Sequence, residues 1–70
     1  MNMVPVRSSD IAAIGYDATS GTLHIRFNSG GLYAYYNVHD AVYRGLMGAG
    51  SHGRYFHAHI RGRYNDTKIG

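Results

Sequence analysis

The residues with chemistry to offer crowd toward one end of this 70-residue chain, in Ser51-His52-Gly53-Arg54-Tyr55-Phe56-His57-Ala58-His59-Ile60-Arg61-Gly62-Arg63-Tyr64. That stretch carries three of the six arginines, three of the five histidines and two of the seven tyrosines. Arg7, Arg26 and Arg44 are balanced by Asp10, Asp17 and Asp40, whereas Arg54, Arg61, Arg63 and Lys68 face Asp66 alone. The whole net charge of +3 therefore lies in residues 52–70. Arg54, His57 and Arg61 stand at i, i+3 and i+7, a spacing that lines one face of a helix, with Arg63 just beyond it. Arginine interleaved with aromatic rings suits phosphate contact and base stacking. The candidate nucleic-acid contacts are thus Arg54, Tyr55, His57, Arg61, Arg63 and Lys68, joined by Arg26 and Tyr36 from the preceding strands. The bland alternative is a solvated helix face opposite Phe56 and Ile60, with Arg54 folded over a ring or bonded to a carbonyl.

Other chemistries fit less well. No two histidines are four residues apart, and His57 and His59 point about 200° apart on a helix. With no cysteine and few carboxylates, no metal site is expected. Four scattered aspartates, no glutamate and no glycine-rich loop opening a helix argue against catalysis, and Ser51 before His52 reads as a cap rather than a nucleophile. The expectation is a non-catalytic binding module with no cofactor and no small-molecule substrate. Its partner would be RNA, or in the alternative a protein or second copy docking on a sheet edge or uncovered sheet face.

A chain of this length buries only about 60% of the surface its unfolded form exposes. With no disulfide available, stability must come from packing in which the tyrosines supply bulk. Met1 to Ser9 has no apolar run of signal-peptide length, and no segment approaches the ~20 apolar residues of a membrane span. A cytoplasmic protein with no membrane association is expected.

The elements that must position the basic segment are legible in the turns. Ile11–Tyr16 and Thr22–Phe27 flank Asp17-Ala18-Thr19-Ser20-Gly21, where Gly21 supplies the positive φ that closes a hairpin. With Asp17 facing Thr22, Tyr16 lies opposite Leu23, Ile14 opposite Ile25 and Ala12 opposite Phe27. Asn28-Ser29-Gly30 suits a three-residue loop that sets Tyr33 opposite Ile25 and Tyr35 opposite Leu23. A two-residue Ser29-Gly30 turn would instead turn Leu32, Ala34 and Tyr36 to the core. We favour the first register because it stacks rings against Leu23 and Ile25, leaving Leu32 and Tyr36 with His24 and Arg26 on the other face.

After Val38 the period becomes helical, through Val42, Tyr43, Leu46 and Met47, with Asp40 or Asn37 as cap. Gly48-Ala49-Gly50 ends this helix. Ser51 caps a second one running to about Arg61 and stopped by Gly62, with Phe56 and Ile60 as its apolar pair. Residues beyond Tyr64 are polar and read as a frayed tail. The fold class is α+β: a three-stranded antiparallel meander followed by two short helices packed on one face. Residues 1–8 form an extended segment, 9–64 a single domain and 65–70 a tail. Tyr16, Leu23, Ile25, Phe27, Tyr33, Tyr35, Val42, Leu46, Phe56 and Ile60 form most of the core, and both outer strands keep open edges.

From Ser8 to about Tyr64 these residues resemble the KTSC domain, a family named for its occurrence at the C-terminus of some lysyl-tRNA synthetases and also found as stand-alone bacterial proteins. The matching elements are Ser9 with Ile11 and Gly15-Tyr16, Leu23-Ile25-Phe27, Tyr33-Ala34-Tyr35, Val38 with Val42-Tyr43 and Leu46. The most specific piece is Ser51-His52-Gly53-Arg54-Tyr55-Phe56 with Ile60-Arg61. His39 stands where the family pattern has a helix-opening proline, and His57 where it has asparagine. The resemblance implies the fold, suggests RNA through the synthetase attachment, and assigns no functional residue.

Overall fold

The computed structural model describes residues 2–70. The chain runs β1 (Val4–Pro5), β2 (Ile11–Asp17), β3 (Thr22–Phe27), β4 (Leu32–Tyr35), α1 (Asp40–Gly48), α2 (His52–His59) and β5 (Asp66–Lys68). The strands form one antiparallel sheet in the order β1-β2-β3-β4-β5.

Turn chemistry sets the central register. Gly21 takes φ +70° and its N–H donates to the Asp17 carbonyl at 2.8 Å, while the Asp17 carboxylate accepts from the Thr19 N–H at 3.0 Å. Gly30 takes φ +109° and closes the three-residue loop, with the Phe27 N–H on the Gly31 carbonyl. The pairings Tyr16 to Leu23, Ile14 to Ile25, Tyr33 to Ile25 and Tyr35 to Leu23 follow as the turns predict.

One pairing differs. Ile11, not Ala12, lies opposite Phe27, because a bulge falls between Ile11 and Ala13. Ile11 and Ile14 are three residues apart, and strict alternation would turn one of them to solvent. The extra residue lets both point inward, where both are fully buried.

The inward faces of β2, β3 and β4 and the apolar stripes of both helices enclose Ile11, Ile14, Leu23, Ile25, Tyr35, Val38, Leu46, Phe56 and Ile60. Tyr16, Phe27, Tyr33 and Val42 pack at the margin of this cluster rather than inside it. The Tyr16 ring stacks on Tyr43 at 4.8 Å, and its hydroxyl donates to the Val38 carbonyl, fastening α1 to the sheet. Burial first, then Asp40 and Asp17, hold that hydroxyl above the ordinary tyrosine pKa.

The N-cap of α1 is His39, whose Nδ1 accepts from the Ala41 N–H at 3.0 Å. Asn37 is unavailable because it forms the preceding left-handed corner at φ +59°. Asp40 sits inside the first turn, where it pairs with Arg44 at 2.7 Å. Ser51 caps α2 as expected, accepting from the Arg54 N–H at 3.2 Å. The helix ends at His59, before Arg61, and Gly62 at φ +75° turns the chain back. Two contacts hold α1 to α2: the His52 Nδ1–H donates to the Leu46 carbonyl at 2.8 Å, and Tyr55 lies directly against the bare Cα of Gly45.

The sheet has five strands, not three. The segment read as a frayed tail pairs with β4, Asp66 opposite Tyr35 and Lys68 opposite Tyr33, and Val4–Pro5 pairs with β2. Both additions are held by main-chain hydrogen bonds and carry little apolar patterning, so side-chain periodicity does not announce them. The edges of β2 and β4 expected to be open are covered, and the free edges are the outer sides of β1 and β5.

Candidate functional site

A cleft of about 450 Å³ opens on the helix side of the sheet, between the β3–β4 loop, β5 and the C-terminal turn of α2. Phe27, Tyr33, Tyr35 and Phe56 line its apolar part, and Ser29, His57, Arg61 and Asp66 its polar part. The rings lock edge to face, with centroids 5.6 Å apart for Phe27 and Tyr33, 5.4 Å for Phe27 and Phe56, and 5.5 Å for Tyr35 and Phe56. Such packing fixes a rigid floor that belongs at once to the core and to the cleft. Tyr33 remains half-buried there, so part of its ring faces the opening.

The rim is polar and ordered by weak contacts. The Asp10 carboxylate lies 3.6 Å from His57 Nε2, and the Arg61 guanidinium lies 3.4 Å from His57 Nδ1. An arginine N–H can only donate, so Nδ1 is the acceptor in that contact, and Nε2 is the ring nitrogen nearer Asp10. Ser8 positions Asp10, its hydroxyl oxygen accepting from the Asp10 and Ile11 N–H groups at 3.2 Å. Beneath the rim, burial above all, then Asp66 and Tyr33, push the Tyr35 hydroxyl up to about 12, partly opposed by Arg61. Tyr35 is therefore a neutral hydrogen-bonding group across the ordinary pH range.

Two smaller recesses adjoin the cleft. One, of about 280 Å³, shares Phe27, Ser29 and His57 with it and adds Ser9, Asp10 and Asn28. The other, also about 280 Å³, meets it at Gly62 and is lined by Tyr36, Asn37, Arg63, Tyr64 and Asn65.

This geometry sorts the residues singled out by sequence. His57 and Arg61 share the cleft. Lys68 joins them at its edge, since it pairs with Tyr33 and its Cε runs beside Gly31. Arg63 and Tyr36 line the neighbouring recess together. Arg54 is exposed one turn before His57. Tyr55 is set apart, wedged against Gly45 with its ring 4.4 Å from that of His59. Arg26 projects from the opposite sheet face, paired with Leu32. Among the described residues, Arg54, Arg61, Arg63 and Lys68 have no carboxylate within 4.0 Å. No group of three or more metal-ligating side chains gathers among those residues. No helix among the described residues is long and apolar enough to cross a membrane.

Sequence reasoning missed Asp10, Ser29 and Asp66 as neighbours of the basic segment, and missed that Phe27 and Tyr33 serve the cleft as well as the core. The position of Ser29 in a three-residue loop opposite the helices was an available signal. For Asp66 there was none without the fifth strand.

Comparison with known proteins gives a consistent result. The family model of the KTSC domain matches residues 7–64. A protein of Tsukamurella paurometabola is 40% identical over 67 residues, spanning 96% of this chain and all of that protein. A lysine–tRNA ligase of Nostoc sp. is 41% identical over 61 residues, which is 87% of this chain and 11% of the ligase. The crystal structure of a KTSC domain protein from Yersinia pestis matches with a TM-score of 0.96 at 39% identity, covering 99% of this chain and 97% of that one.

Proposed function

The chain belongs to the KTSC domain family, and from that premise we propose that it is a small non-catalytic binding module whose ligand is RNA, held single-stranded across the aromatic cleft. The observation that carries this reading is the joining of a rigid aromatic floor to cations with no carboxylate within 4.0 Å among the described residues. Tyr33 offers a partly open ring for a base, while Arg61, Lys68 and, across Gly62, Arg63 lie within reach of the flanking phosphates. Arg54 extends the same positive surface along α2. The excess charge of residues 52–70 has the sign needed for long-range attraction of a polyanion. A related domain built into lysine–tRNA ligases supports an RNA context in the cytoplasm. Arg26, on the opposite face, and Tyr55, packed between the helices, stand outside this contact set.

The test is the double reversal of Arg61 and Arg63 to Glu, titrated against tRNA and short single strands. Binding should weaken by similar factors for every sequence, because phosphate contacts carry little base information, and circular dichroism should be unchanged. Unchanged affinity would refute the reading.

A second reading has its own observation. His24, Arg26 and Leu32 share the sheet face that no helix covers among the described residues, where Arg26 is exposed and the other two are half-buried. A protein partner laid on that face would meet these side chains, and its binding would be insensitive to the Arg61/Arg63 reversal.

A further inference from the structure

The two free edges of the sheet are built differently. At β1 the Val6 N–H points inward to the Ala12 carbonyl, so the alternation aims the next position, Pro5, outward. Proline has no N–H, and this edge offers a partner no donor there. At β5 the Tyr36 N–H bonds the Asn65 carbonyl at 2.9 Å and the Ile69 N–H bonds the Leu32 carbonyl at 2.8 Å. Asn65 and Ile69 therefore face β4, with Thr67 in phase with them. Asp66 and Lys68 turn both their N–H and their carbonyl groups to the open side. No proline interrupts Asp66–Lys68, whose three residues are exposed; a bulge follows only beyond them, where the Ile69 and Gly70 N–H groups both donate to the Leu32 carbonyl, and Ile69 is 49% exposed.

We propose that this edge pairs with the same edge of a second copy, antiparallel about a two-fold axis through Thr67. The sequence Asp66-Thr67-Lys68 is complementary to itself in that arrangement. Asp66 of each copy falls opposite Lys68 of the other, and these are the two residues whose backbone groups face outward, so each such pair exchanges two main-chain hydrogen bonds. Their side chains lie on the helix side, in register with Tyr35 and Tyr33, so two cross-strand ion pairs flank the axis. The two Thr67 side chains meet on the other face, a favourable pair across antiparallel strands. Neighbouring registers lose this match, since centring on Asp66 or Lys68 sets like charges directly opposite.

The product is a continuous ten-stranded sheet, five strands from each copy, with the helices of both copies on one side. Asp66 lines the aromatic cleft, so the two clefts lie on either side of the axis. The interface is isologous and closed, and does not propagate into a filament. This pairing does not require the ligand to be RNA, but it occupies Lys68, so the dimer presents Arg54, Arg61 and Arg63 to phosphates and only the monomer adds Lys68.

Sedimentation equilibrium over a concentration series reaching millimolar protein tests it. Wild type should show a reversible monomer–dimer equilibrium that weakens with salt. Asp66→Lys and Lys68→Asp should each be monomeric while retaining the native circular dichroism spectrum, and the double swap Asp66→Lys/Lys68→Asp should restore the dimer. An equimolar mixture of the two single variants should also associate, because every cross-strand pair is again of opposite sign. The proposal is overturned if wild type stays monomeric throughout, if either single variant dimerises as wild type does, or if neither the double swap nor the mixture recovers association.

Discussion

Residues 11–38 and residues 52–70 use the same residue types to opposite ends. In the first region Tyr16 and Tyr35 are committed to packing, one at the margin of the core, roped to Val38 and stacked on Tyr43, the other inside it, 6% exposed beneath Phe56. Its turns are closed by glycines in the left-handed region, and its strand register follows from them. In the second region only Gly53, Phe56 and Ile60 are buried, and four cations stand free of carboxylates among the described residues. Stability thus concentrates in the sheet and the uncompensated charge in the segment that follows it. The cleft forms where the two meet, which explains why its floor is apolar and its rim polar.

Substitutions should therefore separate melting from binding. Replacing Tyr35 by Ala removes a nearly buried ring and should cost about 3 kcal/mol in denaturant unfolding, a large share of the stability of so small a domain. A melt unchanged by that substitution would contradict the observed register. The same residue gives a pH dependence. Its pKa in the folded state is raised to about 12 from 10.0, so the stability it contributes is fully present below pH 10 and is lost as pH rises from 10 toward 12. Tyr35→Phe should flatten that part of the stability–pH curve.

Smaller effects follow at the helix junction. A Cβ at Gly45 would run into the Tyr55 ring, so Gly45→Ala should destabilise by about 2 kcal/mol through overpacking, and the penalty should shrink in a Tyr55→Ala background. Ser51→Ala removes the α2 cap and should cost about 1 kcal/mol. Tyr36→Ala, on the uncovered face and 38% exposed, should cost less than about 0.5 kcal/mol in stability while weakening RNA affinity through the recess it shares with Arg63. Equal losses of stability at Tyr35 and Tyr36 would erase the distinction between the two faces.

The sheet core was legible because hairpin register is a local property of Gly21 and Gly30, and two or three residues suffice to fix it. The bulge was half legible, in the three-residue spacing of Ile11 and Ile14. His39 was overlooked as a cap because capping preferences favour short oxygen-bearing side chains, and the corner at Asn37 brings an imidazole nitrogen to that place instead. β1 and β5 left no trace in apolar pattern, since their exposed residues contribute through the backbone. The cleft inherited that gap. Asp10 and His57 are far apart in sequence, and Asp66 reaches the rim only through β5, so the basic segment could be recognised without its acidic neighbours.

The central claim, that the free cations around the cleft contact phosphates, is tested most directly by the salt dependence of RNA affinity. If Arg54, Arg61, Arg63 and Lys68 all contact phosphates of a single strand, log affinity against log salt should fall with a slope of about −3, from a factor of about 0.7 per contact. A slope near zero, or no binding of tRNA and short single strands at micromolar protein, would contradict the account.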